Sequence, residues 1–193
     1  MRKERRQYQH GLAIDPGLRA GCATFMFGSD GSQSLGAATT HRIKGGMSGV
    51  INWTNFLDQL SLWKLSGLYH QPIDFVAIEQ PSGMRRAGVT PGQTESGRSK
   101  QYLFVGIYTA LIYQQFPDAR IVHVPAQTAK AALCGRANAS KKQIQNMAMH
   151  FLGGWEVITA EMKDWEKETI ADCYAIACGA VRILRREELK ELR

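Results

Sequence analysis

Two short apolar segments in this chain each end in a carboxylic acid, and this feature restricts the possible folds more than any other. The segments are residues 11–15 (GLAID) and 75–79 (FVAIE). Apolar runs of this length between turn signals are typical of buried β-strands. Side chains alternate between the two faces of a strand, so Asp15 and Glu79 each share a face with the alanine two residues before them. Neighbouring strands lie about 4.8 Å apart, and pairing of these two strands would bring their acids together.

The order of strand and helix patterns predicts an α/β fold with a mixed sheet. Short turns join the first three strands and indicate an antiparallel meander, whereas a strand that follows a helix typically returns parallel by a right-handed crossover. Strands are expected over residues 11–16, 20–28, 35–43, 73–79 and 119–124. Helices are expected over about 47–69, 99–116 and 166–191, with a further helix that begins at the capping-box sequence 140–143. The Gly-rich polar stretch 81–98 is expected to form a functional or mobile loop.

The chain has 193 residues and an excess of positive charge, with 24 Lys and Arg against 17 Asp and Glu. One domain is expected over 11–193, after a basic N-terminal tail at 1–10, because a chain of this length can bury a full core. The charge excess indicates a polyanionic partner, either nucleic acid or an anionic membrane surface, and does not choose between them. No apolar run approaches the about 20 residues of a membrane-spanning helix, so no membrane protein is expected.

The last predicted helix supplies further acids. Glu168, Asp172, Ala175 and Gly179 fall on one stripe of that helix. Beyond the two acids the stripe carries only small residues, which let a helix approach a sheet closely. We therefore expect Glu168 and Asp172 to approach the two strand acids.

Four acids gathered in this way would suit a magnesium site. Mg²⁺ and Mn²⁺ prefer oxygen ligands, and two such ions about 3.5–4 Å apart promote phosphodiester hydrolysis. Each acid also has an ordinary explanation. An Asp before Pro–Gly is commonly a turn residue, a Glu before Gln–Pro is a solvated strand end, and helix acids four residues apart form a surface face. Separate segments of the chain are all expected to bring an acid to the same place, and this favours a magnesium site over the separate explanations.

The chain resembles the RuvC-type Holliday junction resolvases of the ribonuclease H-like (retroviral integrase) superfamily over about residues 11–183. The resemblance rests on four segments in the family's order: 13–17 (AIDPG), 77–80 (AIEQ), 125–147 (PAQTAKAALCG, then ASKKQIQNM) and 171–177 (ADCYAIA). It implies a ribonuclease H-like, mixed five-stranded sheet with helices on both faces. It also implies a structure-selective endonuclease that nicks four-way or branched DNA in pairs and leaves 5′-phosphates. The divergent loop and tail are similar to those of phage-encoded relatives, and a cytoplasmic location in a bacterial or phage-infected cell is expected.

The resemblance assigns roles to individual residues. It implies that Asp15, Glu79 and Asp172 are catalytic and bind Mg²⁺ or Mn²⁺, two ions per active site. The family usually has a second Asp three residues before the closing one, where this chain has Thr169, so Glu168 is expected to substitute as the fourth ligand. The family also tends to carry an aromatic residue three positions after the catalytic Glu, where this chain has Ser82.

The same resemblance gives functions to basic residues. Lys130 and Lys141 match two family lysines that contact DNA near the scissile phosphate, and we expect both at helix beginnings facing the acids. Arg85, Arg86, Arg98 and Lys100 are expected to bind backbone phosphates without reading sequence. A four-way junction has near two-fold symmetry, and the resemblance implies a homodimer that presents two active sites to it.

Other functions remain compatible with these residues. A ribonuclease H-like nuclease that acts on structured RNA needs the same acids. A junction-binding protein with impaired catalysis would account for Thr169. An actin-like phosphotransferase also begins with an Asp on its first strand, but it normally needs two such domains, and 193 residues are too few for them.

Overall fold

A computed structural model gives the structure of the protein and describes residues 10–16, 19–42, 72–80 and 95–191. Within these ranges five strands form one sheet: β1 (His10–Asp15), β2 (Arg19–Phe27), β3 (Gln33–Arg42), β4 (Phe75–Gln80) and β5 (Arg120–Pro125). Their order across the sheet is β3-β2-β1-β4-β5. The first three strands are antiparallel, and β4 and β5 continue the sheet parallel to β1. This arrangement confirms the predicted mixed sheet.

The described helices are α1 (Glu95–Gln115), α2 (Ala126–Cys134), α3 (Lys141–Phe151), α4 (Trp155–Thr159) and α5 (Asp164–Glu191). The first helix begins four residues before the expected position 99, so the end of the predicted loop 81–98 is helical. Residues 95–98 (ESGR) include no apolar side chain, so hydrophobic periodicity could not predict a helix there. The predicted helix over 47–69 and the loop residues 81–94 lie outside the described ranges. No described helix is both long and apolar enough to cross a membrane.

Helices pack on both faces of the sheet, as predicted. Leu12 and Ile14 of β1 lie on one face, where Tyr108 and Ile112 of α1 cover them. Ala13 lies on the opposite face, in a larger core formed with α2, α3, α4 and α5. The alternation expected for β1 is therefore present, and it assigns Asp15 to the α5 face.

The long helix α5 lies close to the sheet because its inward face carries small residues. Ala175 is buried, and Gly179 leaves no room for a side chain. A Cβ on Gly179 would lie 2.6 Å from Cγ1 of Val124 and 3.1 Å from Cα of Ala129. This contact fixes α5 against β5 and α2 at once, which sets the depth of the acids carried by the same helix.

The free edge of β3 is covered by the segment between α3 and α4. The Gly153 N–H donates to the Gln33 carbonyl at 2.9 Å, and the Leu35 N–H donates to the Gly153 carbonyl at 2.9 Å. The Tyr174 hydroxyl of α5 donates to the Gln33 side-chain oxygen. These contacts occupy backbone groups that an exposed edge strand would offer to another chain.

Candidate active site

Asp15 and Glu79 stand at the ends of neighbouring parallel strands. The register pairs Ala13 with Ala77 and Ile14 with Ile78, so the next residue on each strand is an acid. Their side chains are joined by a hydrogen bond. The two acids thus come from separate apolar runs and meet because β1 and β4 pair in this register.

Asp172 of α5 is the third acid of the group. Its side chain keeps 25% of its surface exposed, and its charge acts on both strand acids. Burial raises the pKa of Asp172 itself, although the ammonium groups of Lys141 and Lys130 oppose this effect. Three carboxyl groups from β1, β4 and α5 therefore form one electrostatic cluster, which we call the acidic cluster.

The acidic cluster holds more negative charge than its surroundings stabilise. Burial raises the pKa of Asp15 well above its usual value, and the charges of Glu79 and Asp172 raise it further. The pKa of Glu79 is raised by burial and by Asp172, while the hydrogen bond from Asp15 lowers it. Like charges this close favour a bound proton or cation.

Lys141 is the first residue of α3 and faces the acidic cluster. Its Nζ lies 3.7 Å from Oε2 of Glu168 and 4.0 Å from Oδ2 of Asp172. A capping box at Ser140 and Gln143 fixes the start of this helix, with both reciprocal hydrogen bonds present. The Lys141 side chain is 69% exposed, so its ammonium group is open to an incoming anion.

Lys130 also faces the acidic cluster but from a different place than expected. Its charge lowers the pKa of both Glu79 and Asp172. It lies in the middle of α2 rather than at a helix beginning, because α2 starts directly after Pro125 with no linker. Lys130 therefore lies about one turn into α2 rather than at its first residue.

Glu168 lies at the outer side of the cluster. Its side chain is 38% exposed and pairs with Lys141. Its charge raises the pKa of Asp172. Glu168 is thus a neighbour of Asp172, one turn earlier on α5.

Thr169 packs beneath the cluster and uses its hydroxyl within the helix. It is buried, and its Oγ1 donates to the Trp165 carbonyl at 2.8 Å. Its methyl group covers Gly21, where an added Cβ would lie 2.4 Å from Thr169 Cγ2. Gly21 is the β2 partner of Asp15, so Thr169 fills the space beside the first acid.

The acidic cluster fits a divalent cation in the chemistry of its donors. Carboxylate oxygens are the ligands that Mg²⁺ and Mn²⁺ prefer, and the mutual repulsion of these three groups would be relieved by a cation. Within the described ranges, no three His, Cys, Asp or Glu side chains are arranged to hold an ion as they stand. Ligation by Asp15, Glu79 and Asp172 therefore requires their side chains to turn toward one another.

The other predicted DNA contacts fall mostly beyond the part of the chain that the structure describes. Arg85 and Arg86 lie in the range 81–94, outside it. Arg98 and Lys100 lie in the first two turns of α1, and their side chains are not among those described.

Arg19 carries no motif in the sequence, yet its place in the fold puts it at the same end of the sheet as the acidic cluster. It is the first residue of β2, is exposed, and holds its guanidinium carbon 5.7 Å from the ring centroid of Trp165. The two residues lie far apart in the chain, and only the packing of α5 on β2 brings them together.

Comparison with known proteins identifies the fold. No protein-family model matches the chain, and no curated protein matches it in sequence. Among solved structures, T. thermophilus RuvC in complex with a Holliday junction substrate has a TM-score of 0.62 at 16% identity, over 93% of this chain and 96% of that one. This chain has the RuvC fold. A second Thermus thermophilus RuvC structure has a TM-score of 0.58 at 16% identity, over 92% of this chain and 96% of that one.

A eukaryotic resolvase shares the same fold. The yeast mitochondrial Holliday junction resolvase Ydc2 has a TM-score of 0.60 at 14% identity, over 96% of this chain and 85% of that one. The resemblance to RuvC-type resolvases seen in the sequence is thus confirmed at the level of the fold. It extends over nearly the whole chain.

Proposed function

We propose that this protein is a metal-dependent, structure-selective endonuclease that resolves four-way junctions or other branched DNA by paired nicks. The observation that carries the proposal is the meeting of Asp15, Glu79 and Asp172 at one end of the sheet, with Lys130 and Lys141 beside them. The shared fold with T. thermophilus RuvC, which has been solved with a Holliday junction substrate, supports the choice of branched DNA.

Asp15, Glu79 and Asp172, with Glu168 as the outermost ligand, would hold Mg²⁺ or Mn²⁺, two ions per site. When bound, these ions would supply a nucleophile at neutral pH and stabilise the charge that develops on the reacting oxygens. The carboxylates must be ionised to bind a cation, so metal binding and loss of the Asp15 proton are coupled.

The two lysines would hold the scissile phosphate. An ammonium group is a compact charge that neutralises phosphate oxygens, and Lys141 at the first position of α3 is aided by the partial positive charge of the helix N-terminus. Lys141 pairs with Glu168 and Asp172 in the absence of substrate. A phosphate that enters the cluster would compete for this ammonium group.

Resolution of a junction requires nicks on two opposed strands. A homodimer with two-fold symmetry would present one acidic cluster to each of them, and each cut would leave a 5′-phosphate and a 3′-hydroxyl. Analytical ultracentrifugation of the protein with and without a junction tests the dimer. The measured mass of the complex should correspond to two chains bound to each junction.

A second candidate function is junction binding without cleavage. The observation that favours it is Thr169, which stands where the resembled family has an acid and whose hydroxyl is engaged by the Trp165 carbonyl.

Structured RNA as the substrate would use the same phosphate contacts, because ammonium groups bind the backbone of either nucleic acid.

The deciding experiment uses a synthetic immobile four-way junction labelled in turn on each strand. The wild-type protein, Asp15→Asn and the control Asp118→Asn are incubated with it in Mg²⁺, in Mn²⁺ or in chelator. Asp118 is exposed at a turn before β5, on the opposite end of that strand from the cluster. We expect paired nicks from the wild type and from Asp118→Asn only with metal, and binding without nicks from Asp15→Asn.

Each other outcome has a definite meaning. Binding without nicks by the wild type in both metals would favour the second candidate. If structured RNA added as a competitor is cleaved in preference to the junction, the substrate is structured RNA rather than branched DNA. Loss of binding together with nicking in Asp15→Asn would show that Asp15 stabilises the fold rather than catalyses.

A further inference from the structure

The pair Arg19 and Trp165 lies at the same end of the sheet as the acidic cluster and on the same face. In β2, Ala23 and Phe25 belong to the core on the α5 side, and Gly21 lies beneath Thr169 of α5. Arg19 is two residues before Gly21, so strand alternation assigns it to that same face. Since Gly21 is the register partner of Asp15, Arg19 extends past the end of β1 where the acidic cluster lies.

On α5, Trp165, Thr169 and the cluster residue Asp172 follow one another along the helix. Trp165 is one turn before Thr169 and about two turns before Asp172, a separation of about 10 Å along the helix axis. DNA rises 3.4 Å per nucleotide along each strand, so this separation corresponds to about three nucleotides. A strand that ran along α5 with a phosphate at the acidic cluster would pass Arg19 within a few nucleotides.

The guanidinium group of Arg19 lies over the Trp165 ring and is not paired with a described carboxylate. Glu166, which follows Trp165 on α5, is engaged elsewhere: its Oε1 accepts from Thr40 Oγ1 at 2.9 Å and its Oε2 accepts from the Lys163 N–H at 2.7 Å.

Stacking on an aromatic ring orients an arginine for anion recognition. The ring covers one face of the planar guanidinium group and leaves its N–H edges available, and these match phosphate oxygens in a two-pronged hydrogen bond. Trp165 is half-buried and so provides a fixed support, whereas Arg19 is exposed.

We propose that Arg19, oriented by Trp165, binds a backbone phosphate of the DNA strand that flanks the cleavage position. Arg19 is then a DNA-binding residue and Trp165 is a positioning residue. The inference rests on the proposed function, because it takes the acidic cluster as the place where the strand is cut.

The test measures equilibrium binding of a fluorescently labelled four-way junction in chelator, where no cleavage occurs, over a range of salt concentrations. One phosphate contact contributes about 0.9 to the slope of log K against log salt. We expect Arg19→Gln to lower this slope by about 1 and to weaken binding about five- to tenfold at 0.1 M salt. Trp165→Phe should retain most of the binding, and Trp165→Leu should lose part of it.

Arg185→Gln is the matched control. Arg185 is an exposed arginine on α5 at 13 residues, or about 20 Å, beyond Asp172. Its replacement should leave both the slope and the affinity unchanged. Arg19→Lys should keep the slope while losing affinity, because an ammonium group retains the charge without the fork geometry.

The outcomes separate this inference from the proposed function. If Arg19→Gln binds with the slope and affinity of a wild type that nicks junctions, the inference fails and the proposed function stands. If the wild type binds no branched DNA, both fail. Should Arg19→Gln not fold, as judged by thermal unfolding, Arg19→Lys and Trp165→Leu decide the matter, and unchanged binding by both would overturn the inference.

Discussion

A side-chain hydrogen bond joins the carboxyl groups of Asp15 and Glu79, which end two neighbouring parallel strands. A hydrogen bond between two carboxyl groups needs one proton, and burial together with the neighbouring charges raises the pKa of both groups, so the pair binds that proton more readily than free carboxyl groups do. The proton has the same effect as a cation in this position, since it removes one of the charges in the acidic cluster. Proton binding, metal binding and stability of the fold are therefore linked at this site.

The first prediction concerns the stability of the metal-free protein. The pKa values of Asp15, Glu79 and Asp172 are raised, so the folded chain binds more protons than the unfolded chain at pH values between the usual and the raised pKa of these groups. Their contribution to stability is complete below about pH 4 and is lost as the pH rises through the raised values. The free energy of unfolding in chelator should therefore decrease over this range.

The substitution Asp15→Asn removes the part of this loss of stability that comes from ionisation of Asp15, because an amide does not ionise. We expect a higher Tm for Asp15→Asn than for the wild type at pH 7.5 in chelator, by about 3–5 °C for each pKa unit of elevation removed. The difference should vanish near pH 4, and Asp118→Asn should follow the wild type throughout. A lower Tm for Asp15→Asn at pH 7.5 would contradict the linkage.

The second prediction concerns addition of metal. Mg²⁺ or Mn²⁺ should raise the Tm of the wild type, because a ligand that binds only the folded state stabilises it. Binding should also release protons at pH values below the raised pKa of Asp15, which isothermal titration calorimetry detects as a heat that depends on the buffer. Asp172→Asn should lose most of the metal-dependent Tm increase. Equal increases in wild type and Asp172→Asn would exclude Asp172 as a ligand.

The third prediction separates two roles of Lys141. Its ammonium group pairs with Glu168 and Asp172 and so competes with a cation for the same oxygens. Lys141→Met should bind Mn²⁺ about two- to fivefold more tightly, a small effect because the lysine is largely exposed. Its junction nicking should fall at least about tenfold, since a phosphate-binding charge is lost. Lys142→Met, which alters the next exposed residue, is the control and should change neither quantity.

The fourth prediction tests the close contact of α5. Gly179→Ala would place a Cβ 3.1 Å from the Ala129 backbone, so a helix must move, and a loss of about 1–3 kcal/mol in the free energy of unfolding is expected. Gly106→Ala on α1 is the control, because no atom of the described residues lies within 4 Å of the added atom. That substitution should raise stability by about 0.5–1 kcal/mol through helix propensity. Chemical denaturation of both variants measures the difference.

The local patterns of the sequence predicted much of this molecule correctly. Alternation in residues 11–15 and 75–79 predicted which face carries each acid, and the capping box predicted that Lys141 stands at a helix beginning. The small-residue stripe through Gly179 predicted the close approach of α5. Each of these patterns depends on residues within a few positions of one another, which is why they can be read without the fold.

The tertiary structure alone decided how these pieces meet. The register of β1 against β4 joins Asp15 to Glu79, the immediate start of α2 after Pro125 moves Lys130 to mid-helix, and the packing of α5 on β2 sets Arg19 over Trp165. Such contacts join residues far apart in the chain. Periodicity assigns a residue to a face of its own element, whereas strand register and helix position follow from how all the side chains of the core fill space together.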